Sequence, residues 1–223
     1  MLSRKATTPR RRLLTMVTLL MLATVLPGCS LFVMAGKMFF GNPKSKCAFH
    51  RSTGVDLTEG RNRVLIVCNT PYGIGSEYPT LRMDIVEHMT RDLQQRNVDI
   101  VPADDAAAWV DEHGGWGDLN RLAERFDADY LVDVEVQSFS IGVPGSDELY
   151  QGKLAGRVQV TDFTGKSGPR TVMEESCGVT WPRTPMHRDE MNSRQMFADR
   201  FVRDLSGMLS QLLYDYRQSE AVY

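Results

Sequence analysis

The histidines and cysteines of this 223-residue chain are the first residues to test for chemistry. The four histidines form no His-x-x-x-His pair and no zinc-protease pattern; they are His50, His88, His113 and His187. Cys47 and His50 have the spacing of two metal ligands, but two ligands do not close a tetrahedral site. No Gly-x-Ser-x-Gly elbow of a serine hydrolase occurs. We therefore expect no bound metal and no cofactor.

A pair of carboxylates is the remaining pattern that catalysis could use. Asp133 and Glu135 are two residues apart on a predicted strand, so their side chains point to the same side. Lys153 and Arg157 lie on the matching face of the next strand, where they predict ordinary cross-strand ion pairs. The sequence therefore predicts a protein that is not an enzyme.

The N-terminus has the composition of a secretory signal. Five basic and no acidic residues precede an uncharged apolar run from Leu13 to Leu26, shorter than the about 20 residues that span a bilayer. An uncleaved signal anchor is the alternative, because no charge occurs from Leu13 to Gly36, but Pro27 and Gly28 would weaken such a helix. Both interpretations export the rest of the chain.

Leu26-Pro27-Gly28-Cys29 resembles the lipobox of bacterial lipoproteins. In that motif the chain is cut before the cysteine, whose thiol carries diacylglycerol and which becomes the new N-terminus. The resemblance implies a signal peptide over residues 1–28 and lipid, with acyl chains such as palmitate, on Cys29. It also implies a membrane-anchored protein of the cell envelope with its domain in the periplasm. An Asp directly after the lipidated cysteine would favour the inner membrane. This position is Ser30, which favours the outer membrane.

The composition after cleavage limits the partners. Removing residues 1–28 leaves 195 residues and changes the formal charge from −2 to −7, because five basic residues are lost. A nucleic-acid partner would require a basic surface, so we expect none. Cys47, Cys68 and Cys177 could form one disulfide in an oxidising compartment, but Cys68 and Cys177 lie in apolar patterns that predict buried thiols, so we expect no disulfide.

Hydrophobic periodicity predicts the elements that position these residues. Strands are predicted at 64–68, 98–101, 130–137, 153–160 and 171–181, with a bend after Gln137. Helices are predicted around 81–95, 104–110, 118–126 and 197–216. The order β-α-β-α-α-β-β-β-α indicates an α/β fold, a mixed five-stranded sheet with helices packed on it. The segment 182–190 is predicted to be a loop.

The domain boundaries follow from these elements. Residues 1–28 are predicted to be the signal peptide, and residues 29–60 the lipidated N-terminus and tether, of which 41–60 is a polar, turn-rich linker. Residues 61–217 are predicted to form a single α/β periplasmic domain, and residues 218–223 a polar tail.

The central hairpin allows a prediction of register. Val132 is expected opposite Val158, which sets Asp133 opposite Arg157 on the other face. Gly156 is then the small position that admits a large side chain from the last helix, around Phe201.

Two segments carry a resemblance to a protein family. LAERFDADYLV (122–132) and GRVQVTDFTG (156–165) resemble segments of a group of periplasmic lipoproteins. The group includes the curli-secretion lipoprotein and the activator lipoproteins of penicillin-binding proteins. The resemblance implies a domain like the N-terminal domain of the Tol translocation protein and the anticodon-binding domain. It also implies a non-enzymatic protein that binds another envelope protein or assembles with itself, in an oligomeric state that stays open.

Aromatic and arginine residues in turns are the candidate partner contacts, because these types are enriched at binding hot spots. They are Trp116, Trp181, Arg183, His187 and Arg188. In the alternative interpretation, the two tryptophans cover the edge of the core. An alternative function is a carrier that holds a lipid or small apolar ligand in a cleft between sheet and helices.

The lipobox gives the first testable prediction. Cys29→Ala should abolish acylation and leave unprocessed precursor, because the thiol is the only atom in the motif that can take the diacylglycerol. Labelling cells with radioactive fatty acid measures this. A Cys29→Ala protein that still gains label would rule out the lipobox.

Overall fold

The computed structural model of the chain describes residues 44–113, 118–190 and 193–217. The chain divides into two compact units, residues 1–43 and 44–223, and every described residue belongs to the second. The predicted signal peptide, Cys29, Trp116 and the polar tail lie outside the described residues. Within the described ranges, no helix combines the length and the hydropathy needed to cross a membrane.

The described residues contain seven strands and six α-helices. The strands are β1 (Lys44–Ser45), β2 (Arg63–Asn69), β3 (Asp99–Ile100), β4 (Tyr130–Ile141), β5 (Leu149–Asp162), β6 (Arg170–His187) and β7 (Tyr216–Arg217). The helices are α1 (Ala48–Thr53), α2 (Tyr72–Glu77), α3 (Leu81–Gln95), α4 (Ala103–His113), α5 (Leu119–Arg125) and α6 (Arg194–Ser210). Short 3-10 turns cover Leu57–Glu59 and Arg188–Glu190.

The main sheet has five strands in the order β3-β2-β4-β5-β6. β2 is parallel to both β3 and β4, whereas β4, β5 and β6 are successively antiparallel. Helices connect the parallel strands and turns connect the antiparallel ones, as the geometry of each pairing requires. The predicted mixed five-stranded sheet is confirmed. β1 pairs with β7 in a separate two-stranded sheet.

Burial along the strands follows their sequence patterns. The five residues Val64–Cys68 of β2 are each at most 1% exposed, as a central strand covered on both faces requires. In β4, Val132, Val134 and Val136 are buried, while the side chains between them are partly exposed. The sheet therefore has one apolar face and a second face that is partly polar.

The linker prediction for residues 41–60 is wrong from Lys44 onward, and the folded domain begins there instead of at residue 61. Phe49 of α1 is fully buried, and its ring meets the Tyr130 ring edge-on at 5.0 Å. Leu57 is also buried in the core. The polar composition reflects two short helical turns that end at Gly54 and Gly60, both in the left-handed conformation. A few apolar side chains suffice to hold this segment on the domain.

The register of the central hairpin differs from the predicted one by two residues. Val158 lies opposite Val134 instead of Val132. Because side chains alternate with a period of two, this displacement keeps every side chain on its predicted face, and the hydrophobic pattern does not distinguish the two registers. The predicted bend is confirmed as an irregularity between Val136 and Ser138.

The predicted loop at 182–190 is also corrected, because β6 continues to His187. Its register with β5 shifts between Tyr150 and Gly152. The side chain of Gln151, which is buried, donates from Nε2 to the carbonyl oxygens of Pro182 at 3.1 Å and Arg183 at 3.3 Å. The proline-rich segment is therefore a bulged part of the strand.

Helix α6 packs an aromatic stripe against the sheet. Phe197 and Phe201 are fully buried, and the Trp181 ring centroid lies 5.4 Å and 6.3 Å from theirs. Phe201 occupies the space that a Cβ atom at Gly152 would need. The prediction of this role for Gly156 is wrong, since a Cβ there would meet a backbone carbonyl of β4. The close approach of helix and sheet therefore depends on Gly152.

Replacing this glycine should destabilise the domain. Gly152→Ala should lower the free energy of unfolding by about 1–3 kcal/mol, because the methyl group must displace Phe201 from a packed aromatic cluster. Gly178→Ala in β6 is the matched control, since its Cβ would have nothing within 4 Å. Urea unfolding of the two variants measures the difference. Equal losses of stability would contradict the packing described.

Candidate functional site

Trp181 is half-buried at the edge of the core. Its ring packs on Phe197 and Phe201, and the guanidinium carbon of Arg200 lies 5.3 Å from the ring centroid. The structure thus places Trp181 over the core edge, as the alternative interpretation had it.

The other predicted contact residues within the described ranges are exposed. Arg183 lies in the bulge of β6, and His187 ends the strand opposite Leu149. Arg188 lines a concavity of about 660 Å³ together with Tyr150 and the turn after β4. Arg183, His187 and Arg188 therefore lie at the same end of the sheet, where β4 ends and β5 begins.

A groove of about 650 Å³ opens at this end of the domain. The end of β4, the start of α3 and the start of α6 form its walls. Its apolar surface comes from Tyr78, Pro79, Leu81, Phe139, Ile141, Ala198 and Val202. Ile141 and Arg194 line both this groove and the concavity beside Arg188, so the two are adjacent.

Charged side chains surround the apolar surface of the groove. Glu77, Asp84 and Asp199 carry carboxylates, and Arg194 is the single basic residue among the lining side chains that the structure describes. The Arg194 Nη2 atom lies 3.9 Å from the Glu77 Oε1 atom and 3.4 Å from the Tyr78 hydroxyl. Burial, with the carboxylate of Glu77, raises the pKa of Tyr78, so its hydroxyl stays protonated at neutral pH. The rim is therefore net acidic.

Two large apolar side chains are exposed in the described residues, and both come from helices that line the groove. Tyr72 begins α2 and is 92% exposed, and Met196 lies in the first turn of α6 and is 48% exposed. Sequence reasoning missed both. The groove joins residues more than 120 positions apart in the chain, from Glu77 to Val202, and no local pattern indicates such a site.

The groove and the N-terminal end of the domain lie at opposite ends of α6. The groove contains the first residues of this helix, whereas β1 pairs with β7, which follows the last turn. The helix has 17 residues, which at 1.5 Å per residue span about 25 Å. The groove is thus remote from Lys44, where the chain enters the domain.

Of the two carboxylates of β4, Glu135 forms the predicted cross-strand ion pair and Asp133 has a different partner. Arg157 donates from Nη2 to Glu135 Oε2 at 2.6 Å and from Nη1 to Glu174 Oε1 at 2.9 Å. Asp133 accepts a hydrogen bond from the Asn69 amide at 2.8 Å. The predicted register placed Asp133 opposite Arg157, but in the structure it lies opposite Gln159. Each carboxylate therefore has its own partner.

The cysteines are placed as thiols within the described residues, without a disulfide among them. Cys68 is fully buried, as predicted, and burial raises its pKa to about 12. Cys177 is half-buried, and burial raises its pKa as well. Burial also raises the pKa of Cys47 to about 11. At neutral pH all three are protonated, and a protonated thiol is a poor nucleophile.

A polar cluster of Cys47, His50 and Asp215 joins the start and the end of the domain. His50 Nδ1 lies 2.8 Å from Asp215 Oδ2, and the backbone N–H of Cys47 donates to Asp215 Oδ1 at 2.9 Å. Burial alone would raise the pKa of Asp215, but these two hydrogen bonds lower it below the usual value. Asp215 is therefore a carboxylate held in a fixed orientation.

No protein-family model matches the chain, and a comparison with curated proteins finds no match. Solved structures with partial similarity include the lipoprotein GNA1162 from Neisseria meningitidis, at 12% identity and a TM-score of 0.42 over 65% of this chain and 98% of that one. A PelC dodecamer from Paraburkholderia phytofirmans has 14% identity and a TM-score of 0.42 over 77% and 96%. The LpoB C-terminal domain from Salmonella enterica has 12% identity and a TM-score of 0.32 over 58% and 88%.

These similarities are too distant to identify a family or an activity. One of the proteins is described as a lipoprotein. The finer resemblance, to the Tol-protein and anticodon-binding domains, stays a prediction.

The two faces of β4 give a paired prediction. Val134 is 1% exposed, so Val134→Asp should lower the free energy of unfolding by about 4 kcal/mol or more, because it buries an unpaired charge. Burial raises the pKa of Asp133, which means that its ionisation destabilises the folded chain. Asp133→Asn keeps an acceptor for Asn69 and should lose little stability at neutral pH.

The dependence of stability on pH tests whether ionisation of Asp133 destabilises the fold. In the wild-type chain, the contribution of Asp133 to stability should fall as the pH rises through its raised pKa, and Asp133→Asn should lack this loss. Thermal midpoints across the acidic range measure both effects. Equal destabilisation by the two variants would show that the faces are reversed.

Proposed function

We propose that this chain is a membrane-anchored, non-enzymatic envelope lipoprotein whose periplasmic domain binds another envelope protein at the groove. The observation that carries the proposal is the position of the exposed apolar residues. Met196 lies in the first turn of α6, which lines the groove and spans about 25 Å from there to the end where the N-terminal segment enters, and Tyr72 begins α2, whose last residue, Glu77, also lines the groove. A contact surface at this end of the domain does not overlap with the end where the N-terminal segment enters.

The sequence and the described side chains support the remaining parts of the proposal. The signal and Leu26-Pro27-Gly28-Cys29 support export and lipid attachment. Two acyl chains provide stable membrane binding, where one provides only marginal binding. The separate partners of Asp133 and Glu135 and the raised thiol pKa values support a role in binding, without catalysis.

The chemistry of the groove indicates the kind of partner segment. An apolar surface surrounded by three carboxylates and one guanidinium fits an apolar side chain or short segment flanked by basic residues. A specific interface buries more than about 1,000 Å² in total, which is more than a groove of this size supplies alone. The contact would therefore extend over Tyr72 and the concavity beside Arg188.

A second candidate function is a carrier of a lipid or small apolar ligand. The observation in its favour is the volume of the groove, about 650 Å³, which falls within the range of small-molecule sites. The three carboxylates of the rim favour the protein partner, because a lipid with an anionic head would be repelled there.

Photocrosslinking in cells tests the proposal. A photoreactive amino acid at position 72 or 196 should crosslink to the same envelope protein. The control is position 61 in the loop before β2, because the Arg61 side chain is 77% exposed and lies outside the groove. We expect no protein adduct at that position.

The adducts distinguish the two candidates. An adduct with the mass of a lipid at positions 72 and 196 would support the carrier. The same protein adduct at all three positions would contradict a specific site at the groove.

A further inference from the structure

A second site lies at the other end of the domain, where the first and last described segments meet. His50, Asp56 and Asp215 each offer a ligand atom, and these atoms all lie within 4.8 Å of one another. The side chains of His50 and Asp215 are 16% and 12% exposed, so most of their surface is shielded from water. Asp56 is likewise partly buried.

The two carboxylates are oriented before any ligand binds. Thr58 donates to Asp56 Oδ1 from its backbone N–H at 2.9 Å and from its hydroxyl at 2.6 Å. The backbone N–H of Cys47 holds Asp215 Oδ1 at 2.9 Å, which turns Oδ2 toward the His50 ring at 2.8 Å. Hydrogen bonds of this kind fix the orientation of carboxylate ligands in metal sites.

We propose that His50, Asp56 and Asp215 bind a divalent transition-metal ion, with Zn²⁺ the best fit. An imidazole nitrogen and two carboxylate oxygens are ligands that Zn²⁺ accepts, whereas Mg²⁺ and Ca²⁺ prefer oxygen alone. The two carboxylates carry two negative charges, which a dication neutralises. A metal ion bound by both side chains would replace the hydrogen bond between His50 and Asp215.

The surroundings limit the affinity and provide access. An opening of about 480 Å³ reaches Asp215, and its lining includes the basic side chains of Lys44, Arg96 and Arg217. Their positive charge weakens the attraction for a cation, so we expect a dissociation constant in the micromolar range. Arg96 also forms a cation–π contact, since its guanidinium carbon lies 3.8 Å from the Tyr214 ring centroid.

Metal binding would join parts of the chain that are far apart in sequence. His50 lies in α1, Asp56 precedes the first 3-10 turn, and Asp215 precedes β7. An ion at this point crosslinks the segment that enters the domain to the segment that leaves it. The site is independent of the groove, and it goes beyond the sequence-based expectation that no metal binds.

Zn²⁺ titration of the purified full chain, stripped with a chelator, tests the proposal. Calorimetry should show one bound equivalent, and Zn²⁺ should raise the thermal midpoint. Asp56→Asn should weaken binding at least tenfold while leaving the hydrogen bond between His50 and Asp215 in place. Mg²⁺ should not compete.

Asp162→Asn is the matched control. Asp162 Oδ1 accepts from the Thr164 N–H at 2.8 Å and its hydroxyl at 2.6 Å, as Asp56 does from Thr58. Among the described residues it belongs to no cluster of metal ligands. This variant should bind Zn²⁺ like the wild-type chain.

A second variant protects the test from a folding defect. If Asp56→Asn lowers the thermal midpoint without metal, His50→Gln removes a ligand by another route and should also weaken Zn²⁺ binding at least tenfold. Failure of the wild-type chain to bind one equivalent would overturn the proposal. Equal affinity in Asp56→Asn, His50→Gln and Asp162→Asn would overturn it as well.

Discussion

The close approach of α6 to β5 at Gly152 is the contact on which the rest of the domain depends. Because Gly152 has no side chain, the Phe201 ring lies directly on the sheet. The same ring stacks on Phe139 at 5.6 Å, and Phe139 forms part of the groove wall together with Val202 from α6. One aromatic contact therefore fixes both the position of the last helix and the width of the groove.

The sequence predicted the elements that depend on local periodicity. The apolar run Val64–Cys68 and the alternation in β4 were sufficient to predict these two strands. A strand buried on both faces is apolar throughout, and a strand buried on one face alternates between apolar and polar residues. The hairpin register was not predictable, because displacements by two residues satisfy the same pattern. The segment 44–60 was misassigned because its core contacts come from single residues such as Phe49, which form no period.

The candidate sites were less predictable than the fold, for a related reason. Residue type alone drew attention to Trp181, but an aromatic residue near a turn covers a core edge as readily as it binds a partner. The groove and the His50 cluster both combine residues from distant parts of the chain. His50 and Asp215 are 165 positions apart, and the pairing of β1 with β7 and the docking of Phe49 at Leu212 bring them together. Such sites depend on tertiary structure, which one sequence does not show.

The pairing of β1 with β7 has a mechanical consequence. Tension applied to the N-terminal segment would enter the domain at Lys44 and act first on a ladder of two residue pairs, Lys44 with Arg217 and Ser45 with Tyr216. The next contacts along the chain are the hydrogen bond from the Cys47 N–H to Asp215 Oδ1 at 2.9 Å and the docking of Phe49, whose N–H donates to the Leu212 carbonyl at 3.0 Å. These contacts come before the first strand of the main sheet, β2, in the order along the chain. Under load the segment 44–60 should detach first, while the main sheet stays folded.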